Sequence, residues 1–341
     1  MTRTDHTRAA VPAPTRIASL KAAPTIPLSL FGIALGLVAV GGGWYAAYQL
    51  LAAPAWPSEV FYAVGGVLWL VFGAVYLAQG MRRRGTFDGD VKHPAAGPFA
   101  ALIPLVGILL ASHYALYLPG LGTAAVVVFV AALAVVATQI FAHWLTGGVT
   151  MAAIHPGYFI PVVAGAFVAS IGFTSVGLHE VAIASFGVGL FFWFVIGTVV
   201  VVRLMTGGPL PDGAKPSLSA FLAAPATASI AWMIAHPGPM GEVQLALTGV
   251  LVVMLLVQVV LLREFRKLSF SLTFWVFTFP IASTAHYAVR WFAASGLPGA
   301  AVWAWIALSL STAFVLALGA LTVLSLTKKP SKESRTHVHQ S

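Results

Sequence analysis

The chain has 341 residues, of which 59% are hydrophobic and only 8% are charged, and its mean hydropathy is +0.93. A soluble domain carries about 25% charged residues, so this composition excludes an ordinary soluble protein and predicts an all-α integral membrane protein. The formal net charge is +9, and cysteine is absent, which excludes a disulfide framework, a thiolate metal site and a cysteine nucleophile.

The chain begins with a polar stretch, 1–25, which we interpret as a cytoplasmic N-terminal tail. The region 26–326 is predicted to be one transmembrane domain, and 327–341 a cytoplasmic C-terminal tail. A membrane-spanning helix needs about 20 apolar residues. On that criterion ten spans are predicted, at 27–50, 58–80, 98–117, 121–144, 157–175, 180–204, 217–235, 243–263, 271–292 and 300–326.

Lysine and arginine predict the orientation of these spans. With the N-terminus inside, the inner segments hold 17 of the 18 basic residues, and only Arg290 falls at an outer end. Cytoplasmic segments of membrane proteins carry such an excess. We therefore expect a multi-pass protein of the cell membrane, inner or plasma, with both termini in the cytoplasm. Because topology accounts for the positive charge, nucleic acid is not an expected partner.

Proline separates the odd spans from the even ones. No even span has a proline in its interior. Each odd span has one in its interior or first turn, and these are Pro27, Pro104, Pro161, Pro225 and Pro280. Proline kinks a spanning helix and is tolerated where protein or water satisfies the freed carbonyl. Small residues, also frequent in the odd spans, allow close helix packing. The pattern favours five helical-hairpin repeats around a central pore, with odd helices inside and even helices facing lipid. The alternative is that proline and glycine are simply common in membrane helices.

The ninth span, "FWVFTFPIASTAHYAVRWF" (274–292), carries a polar stripe. Phe279, Ser283, His286 and Arg290 are spaced i, i+4, i+7 and i+11, which places them on one face of a helix. Such a stripe is costly against lipid, so we expect it, with Pro280, to face other helices or a watery pore. Phe279 lies near mid-membrane, where an aromatic ring can close a narrow pore by excluding water. Ordinary helix packing is the alternative role for Phe279.

Five motifs at the starts of the odd spans resemble a known family. They are "IPLSLFGIALGL" (26–37), "KHPAAGPFAALIP" (92–104), "HPGYFIPVVAGAFVAS" (155–170), "FLAAPATASIAW" (221–232) and "FWVFTFPIAS" (274–283). Their order and spacing are similar to those of the tellurite-resistance/dicarboxylate transporter family. That family includes the bacterial tellurite-resistance protein A, fungal malate permeases and sulfite pumps, and the plant slow anion channels.

The resemblance implies a homotrimer in the bilayer, each protomer having its own pore, and a phenylalanine gate at the position of Phe279. The expected function is an anion channel or uniporter that passes small inorganic or organic anions. The alternative is a carrier that exports sulfite, tellurite-related oxyanions or C4-dicarboxylates, with proton coupling through His286 as one option. Further candidates for lining the pore, on the other odd spans, are Phe31, Pro104, Pro161 and Pro225.

Other chemistry finds little support in the sequence. The acidic residues lie outside the deep parts of the predicted spans, although carriers coupled to protons or cations usually hold a carboxylate there. His93 and His155 each precede a proline and are predicted to start helices. The glycines of "GGGW" (41–44) are expected to end the first span. We expect no metal, no cofactor and no enzyme activity. A membrane enzyme or sensor without conduction is the alternative from another class.

Overall fold

The computed structural model describes residues 26–82 and 85–327, which are helical between their connecting turns. Apart from Thr327, the two predicted tails lie outside the described residues, as do Arg83 and Arg84, which contributed to the predicted orientation. The α-helices are α1 (Phe31–Leu51), α2 (Trp56–Arg82), α3 (Thr86–Lys92), α4 (Leu102–Tyr114), α5 (Pro119–Leu145), α6 (Gly165–Ser175), α7 (His179–Thr206), α8 (Ala220–Ala235), α9 (Glu242–Phe265), α10 (Thr278–Ser295) and α11 (Ala300–Thr327).

The ten long helices pack as five sequential pairs. Within each pair the two helices contact each other and are joined by a link of three to six residues: 52–55, 115–118, 176–178, 236–241 and 296–299. Because such links are short, the two helices of a pair are antiparallel neighbours. We call the first members, α1, α4, α6, α8 and α10, the inner helices, and the second members, α2, α5, α7, α9 and α11, the outer helices.

Burial differs sharply between the two sets. Four inner helices, α1, α4, α6 and α8, are compared over their most apolar stretch, including the leading turn. Between 67% and 83% of the residues in that stretch are buried in each of them. The corresponding share for the outer helices is between 11% and 28%. Outer helices expose large apolar side chains such as Leu70, Phe194 and Val260. In a membrane these side chains meet lipid, so this asymmetry is compatible with a bilayer around the outer helices.

The inner helices contact one another in cyclic order. α1 contacts α4, α4 contacts α6, α6 contacts α8, α8 contacts α10, and α10 returns to α1. Each inner helix thus has two inner neighbours as well as its own outer partner. The small residues on these helices allow their backbones to approach closely.

The leading turn of every inner helix is not α-helical. Tight 3₁₀ turns, or a 3₁₀ turn followed by a π turn before α6, occupy Leu28–Leu30, Gly97–Ala101, Pro156–Tyr158 with Ile160–Ala164, Asp212–Ser219 and Leu272–Phe277. Pro104 and Pro280 lie in the first turn of the α-helix that follows, and Pro161 lies in the π turn. Because proline has no N–H, Pro104 and Pro280 make no backbone hydrogen bond to the 3₁₀ turn before them, although the first residues of α4 and α10 do. Pro225 lies further inside α8.

Nine helices of the described chain are long and apolar enough to cross a membrane, judged by length and composition. The predicted integral membrane, all-α class is confirmed to that extent. The exception among the ten predicted spans is 271–292, where Leu272–Phe277 and α10 together have a matching length but more polar residues. A tenth span at that position stays a prediction.

The three glycines 41–43 lie inside α1 rather than at its end, so the prediction that they terminate the first span is wrong. Each faces a different neighbour. A Cβ at Gly41 would lie 2.8 Å from the Tyr62 ring, one at Gly42 would lie 3.2 Å from His286, and one at Gly43 would lie 3.2 Å from Leu308. Glycine is needed here because three helices, α2, α10 and α11, approach the same turn of α1.

Candidate functional site

Three cavities follow one another along the inner helices. We call them the wide cavity, at the N-terminal ends of these helices, then the middle cavity and the distal cavity. Their volumes are about 460, 60 and 70 Å³. Wide and middle cavities share the lining residues Ser29, Phe99, Ser217 and Val276. Phe279 lines both the middle and the distal cavity, so these two cavities are neighbours on either side of its ring.

The wide cavity carries most of the polar groups. Tyr76 donates its hydroxyl hydrogen to Asp90 Oδ2 at 3.0 Å, and both residues line the cavity. His155 Nδ1 accepts from the backbone N–H of Gly157 at 3.1 Å, so the ring proton is on Nε2, which donates to the Ala95 carbonyl at 3.1 Å. Burial lowers the pKa of His155, an effect that the bond to Ala95 partly offsets. His155 is therefore neutral and caps the turn before α6, as its position before proline predicted.

The middle cavity is almost wholly apolar and takes residues from every inner helix or its leading turn. Representative lining residues are Gly32, Leu105, Ala164, Ala223 and Phe279. Side chains of this kind offer no hydrogen bond to a passing solute. A narrow apolar stretch of this type tends to exclude water.

The Phe279 side chain is half-buried and stands between the middle and distal cavities. The helix packing beside it is close: a Cβ at Gly36 of α1 would overlap the Thr278 side chain. Thr278 is fully buried and donates its hydroxyl hydrogen to the Trp275 carbonyl at 2.6 Å. Contacts of this kind fix the start of α10 against α1 and so set the position of the Phe279 ring.

The distal cavity is lined by hydroxyl groups and one imidazole. The hydroxyls of Ser112, Thr227 and Ser283 donate to carbonyls of their own helices, at 2.7, 2.7 and 3.1 Å. His286 lies one turn beyond Ser283 and also lines the cavity. The Arg290 side chain follows, and its Nε donates to His286 Nε2 at 2.9 Å. Ser283 and His286 thus share one cavity, as their helical spacing predicted.

Tyr62 lines the distal cavity from an outer helix, and the sequence reasoning missed it. Its ring stacks on the His113 ring with a centroid separation of 3.8 Å. His113 Nε2 donates to Glu59 Oε1 at 3.0 Å, and Tyr117 donates to the same oxygen at 2.8 Å. α2 is apolar and has no proline beyond its second residue, Pro57, so its composition gave no signal. Only contacts between helices show that Tyr62 faces inward.

The remaining predicted residues occupy varied positions. Pro280 lines the middle cavity. Phe31 is fully buried and packs edge-on against Phe72 and Tyr76 of α2, with centroid separations of 6.0 and 6.4 Å. Pro161 lines a separate apolar cavity of about 330 Å³ between α5, α6 and α7.

Pro104 and Pro225 are buried within α4 and α8, outside the lining of the three cavities. Helix packing explains the placement of Phe31, Pro104, Pro161 and Pro225: a kink acts on the helix axis and does not require the proline ring to face inward. That any of these four residues lines a pore stays a prediction.

These features define a multi-pass helical membrane protein with a series of cavities among its inner helices. The sequence profile of a family described as voltage-dependent anion channels matches residues 25–323. The chain belongs to this family, and the predicted resemblance is thereby confirmed.

Curated relatives agree with this assignment. The chain is 22% identical to a tellurite resistance protein TehA homolog of Haemophilus influenzae, over 89% of this chain and 92% of that protein. It is 24% identical to the S-type anion channel SLAH3 of Arabidopsis thaliana over 78% of this chain, but spans only 43% of that longer protein. The guard cell S-type anion channel SLAC1 of the same plant is 29% identical over 47% of this chain and 29% of its own length. The family supports an anion transport function rather than an enzymatic one.

Proposed function

We propose that the protein is a passive anion channel or uniporter whose path runs through the wide, middle and distal cavities. The observation that supports this most is that Phe279 stands between two cavities to which all five inner helices or their leading turns contribute. The proposed path lies within one protomer, in a ring of five inner helices sheathed by five outer ones.

The chemistry of the path fits an anion that is bound weakly. The middle cavity is apolar, and the hydroxyls of the distal cavity already donate to backbone carbonyls. Conduction requires sites that hold an ion loosely enough for it to leave. In the described residues, no acidic side chain lines the middle or distal cavity, so a cation meets no counter-charge there. Asp90 lines the wide cavity, where its carboxylate accepts from Tyr76.

In this proposal Phe279 is the gate. Its ring separates two cavities of about 60 and 70 Å³, and an apolar side chain at such a constriction keeps the path dry. Opening requires the ring to rotate or α10 to shift relative to α1. Pro280, Ser283 and His286 line the path on either side of the ring.

The proposed setting is the cell membrane, with α10 and its leading turn as the tenth span. The wide cavity faces the cytoplasm in this arrangement, and the short hairpin links face outward. We propose a homotrimer in which each protomer conducts separately. Candidate ions are chloride, nitrate, sulfite, tellurite-related oxyanions and C4-dicarboxylates.

Flux measurements on purified protein in proteoliposomes test this function. Chloride, nitrate, sulfite and malate are compared under an imposed voltage and, separately, under an imposed pH gradient. The proposal predicts voltage-driven anion flux that a pH gradient does not concentrate. Uphill accumulation driven by the pH gradient would indicate a proton-coupled carrier instead, and absence of flux for all four anions would contradict anion transport.

A further inference from the structure

We infer that Arg290 and His286 together form an anion-binding site at the far end of the distal cavity, with Arg290 fixing His286 as a neutral hydrogen-bond donor. The physiological role of this site rests on the proposed function, but anion binding is measurable without conduction. The inference comes from hydrogen-bond geometry and from an unpaired charge.

The hydrogen bond between the two side chains determines where the imidazole proton lies. Arginine nitrogens only donate, so the 2.9 Å contact from Arg290 Nε requires His286 Nε2 to accept. A doubly protonated imidazole would present an N–H to this donor. His286 is therefore neutral, its proton is on Nδ1, and Nδ1 is a donor.

The guanidinium group of Arg290 has no ion-pair partner within residues 26–82 and 85–327. Among the residues that the structure describes, no carboxylate oxygen lies within the 4.0 Å ion-pair distance of Arg290. Glu59, an acid on the same side of the molecule, already accepts from His113 and Tyr117. Tyr45 and Tyr62 are the titratable groups that interact electrostatically with Arg290 besides His286.

An unpaired cation in this position favours a bound anion. Arg290 is half-buried, and removing a charge from water is costly unless an opposite charge or hydrogen bonds replace the water. Nε is used by His286, which leaves the two terminal nitrogens of the guanidinium for a ligand. A small anion such as chloride or nitrate supplies the missing charge.

Besides the guanidinium group, His286 Nδ1 is the second hydrogen-bond donor available to an anion at this site. The nearby hydroxyls of Ser283 and Thr227 are directed to carbonyls of their own helices. Gly42 leaves room beside the ring, since a Cβ there would lie 3.2 Å from Nδ1. A neutral N–H donor next to a guanidinium group binds an anion without releasing a proton. This assignment argues against His286 as the proton carrier of a coupled transporter.

Thermal unfolding in detergent tests the site independently of flux. A ligand that binds only the folded state raises Tm. We expect chloride, bromide or nitrate to raise the Tm of the unmodified protein relative to gluconate at equal ionic strength. Arg290→Gln should abolish that anion-specific rise, whereas Arg266→Gln, the same change at an exposed site, should retain it. Size-exclusion profiles in gluconate check that each variant is folded.

Two further variants test the donor on His286. His286→Asn places an amide N–H near the position of Nδ1 and should keep part of the anion-specific rise, whereas His286→Phe should lose it. Gly42→Ala narrows the space beside His286 Nδ1 and should weaken the anion-specific rise in Tm. This variant offers a second test if Arg290→Gln does not fold. Bromide diffraction of crystals should show anomalous density beside the guanidinium group.

The outcomes separate the site from the proposed transport. A rise in Tm that survives in folded Arg290→Gln, or absence of bromide beside Arg290, overturns the site even if flux is present. If anionic lipid raised Tm but chloride did not, Arg290 would be assigned to a lipid phosphate, and the proposed small-anion site would also be overturned. Loss of the rise in Arg290→Gln together with absent flux would support the site and contradict the channel.

Discussion

His155 connects two leading turns through both of its ring nitrogens. One nitrogen caps Gly157 in the turn before α6, and the other donates to Ala95 in the link before α4. The Tyr158 hydroxyl adds a bond to the Pro94 carbonyl at 2.9 Å. A proton added to Nδ1 would remove the cap, so these contacts depend on a neutral imidazole.

The stability of the protein should therefore depend on pH through His155. Burial lowers the folded pKa of His155 below its ordinary value of 6.5, so the unfolded chain binds the proton more readily. This contribution to stability is present above 6.5 and is lost as the pH falls toward the lowered folded value. Tm measured against pH should fall less steeply below 6.5 in His155→Asn, which keeps an N-cap acceptor. An equal slope in the two proteins would contradict the assignment.

Single residues of the candidate site were predictable from spacing only when they share a helix. Ser283 and His286 line one cavity because i and i+3 positions of α10 point the same way. Phe31 was expected to line the pore, but its ring packs against α2. Tyr62 could not be predicted, since its inward direction depends on the contact between α2 and α4, which spacing along one helix does not encode.

At the scale of elements, the contact between α1 and α10 positions the Phe279 ring. Gly36→Ala should destabilise the protein by about 1–3 kcal/mol, because the new methyl group overlaps Thr278 and forces α1 and α10 apart. Gly32→Ala, one turn earlier on the same helix, meets nothing within 4 Å and should be neutral or stabilise by up to about 1 kcal/mol. Denaturation of both variants in detergent measures the difference. Equal stability of the two would show that α1 and α10 can separate at no cost.

The prediction of helices from hydropathy was close, but the leading turns were not foreseen. The predicted third span, 98–117, overlaps the 3₁₀ turn Gly97–Ala101 and continues past the end of α4 at Tyr114. Hydropathy measures how apolar a stretch is and does not distinguish a 3₁₀ turn from an α turn. Prolines marked the right regions, since Pro104 and Pro280 follow such turns directly.

At the scale of the whole molecule, the inner and outer helices should differ in access to water. Cysteines placed at Ala164 and Thr227, which line the middle and distal cavities, should react with a charged thiol reagent once the path is open. Cysteines at Val199 and Leu255, on exposed faces of outer helices, should not react, because lipid excludes the reagent. The absence of native cysteine gives a clean background. Similar labelling of both pairs of cysteines would contradict an arrangement in which the inner helices line a water-filled path and the outer helices face lipid.

Planar-bilayer currents from Phe279→Ala test the central claim most directly. Removing the ring joins two cavities of about 60 and 70 Å³, so chloride or nitrate current should rise severalfold, with Phe279→Leu intermediate. Phe194→Ala, the same change on a side chain that is 75% exposed on α7, should leave the current unchanged. Size-exclusion profiles should match among all three variants. Unchanged or reduced current from well-assembled Phe279→Ala protein would contradict the gate.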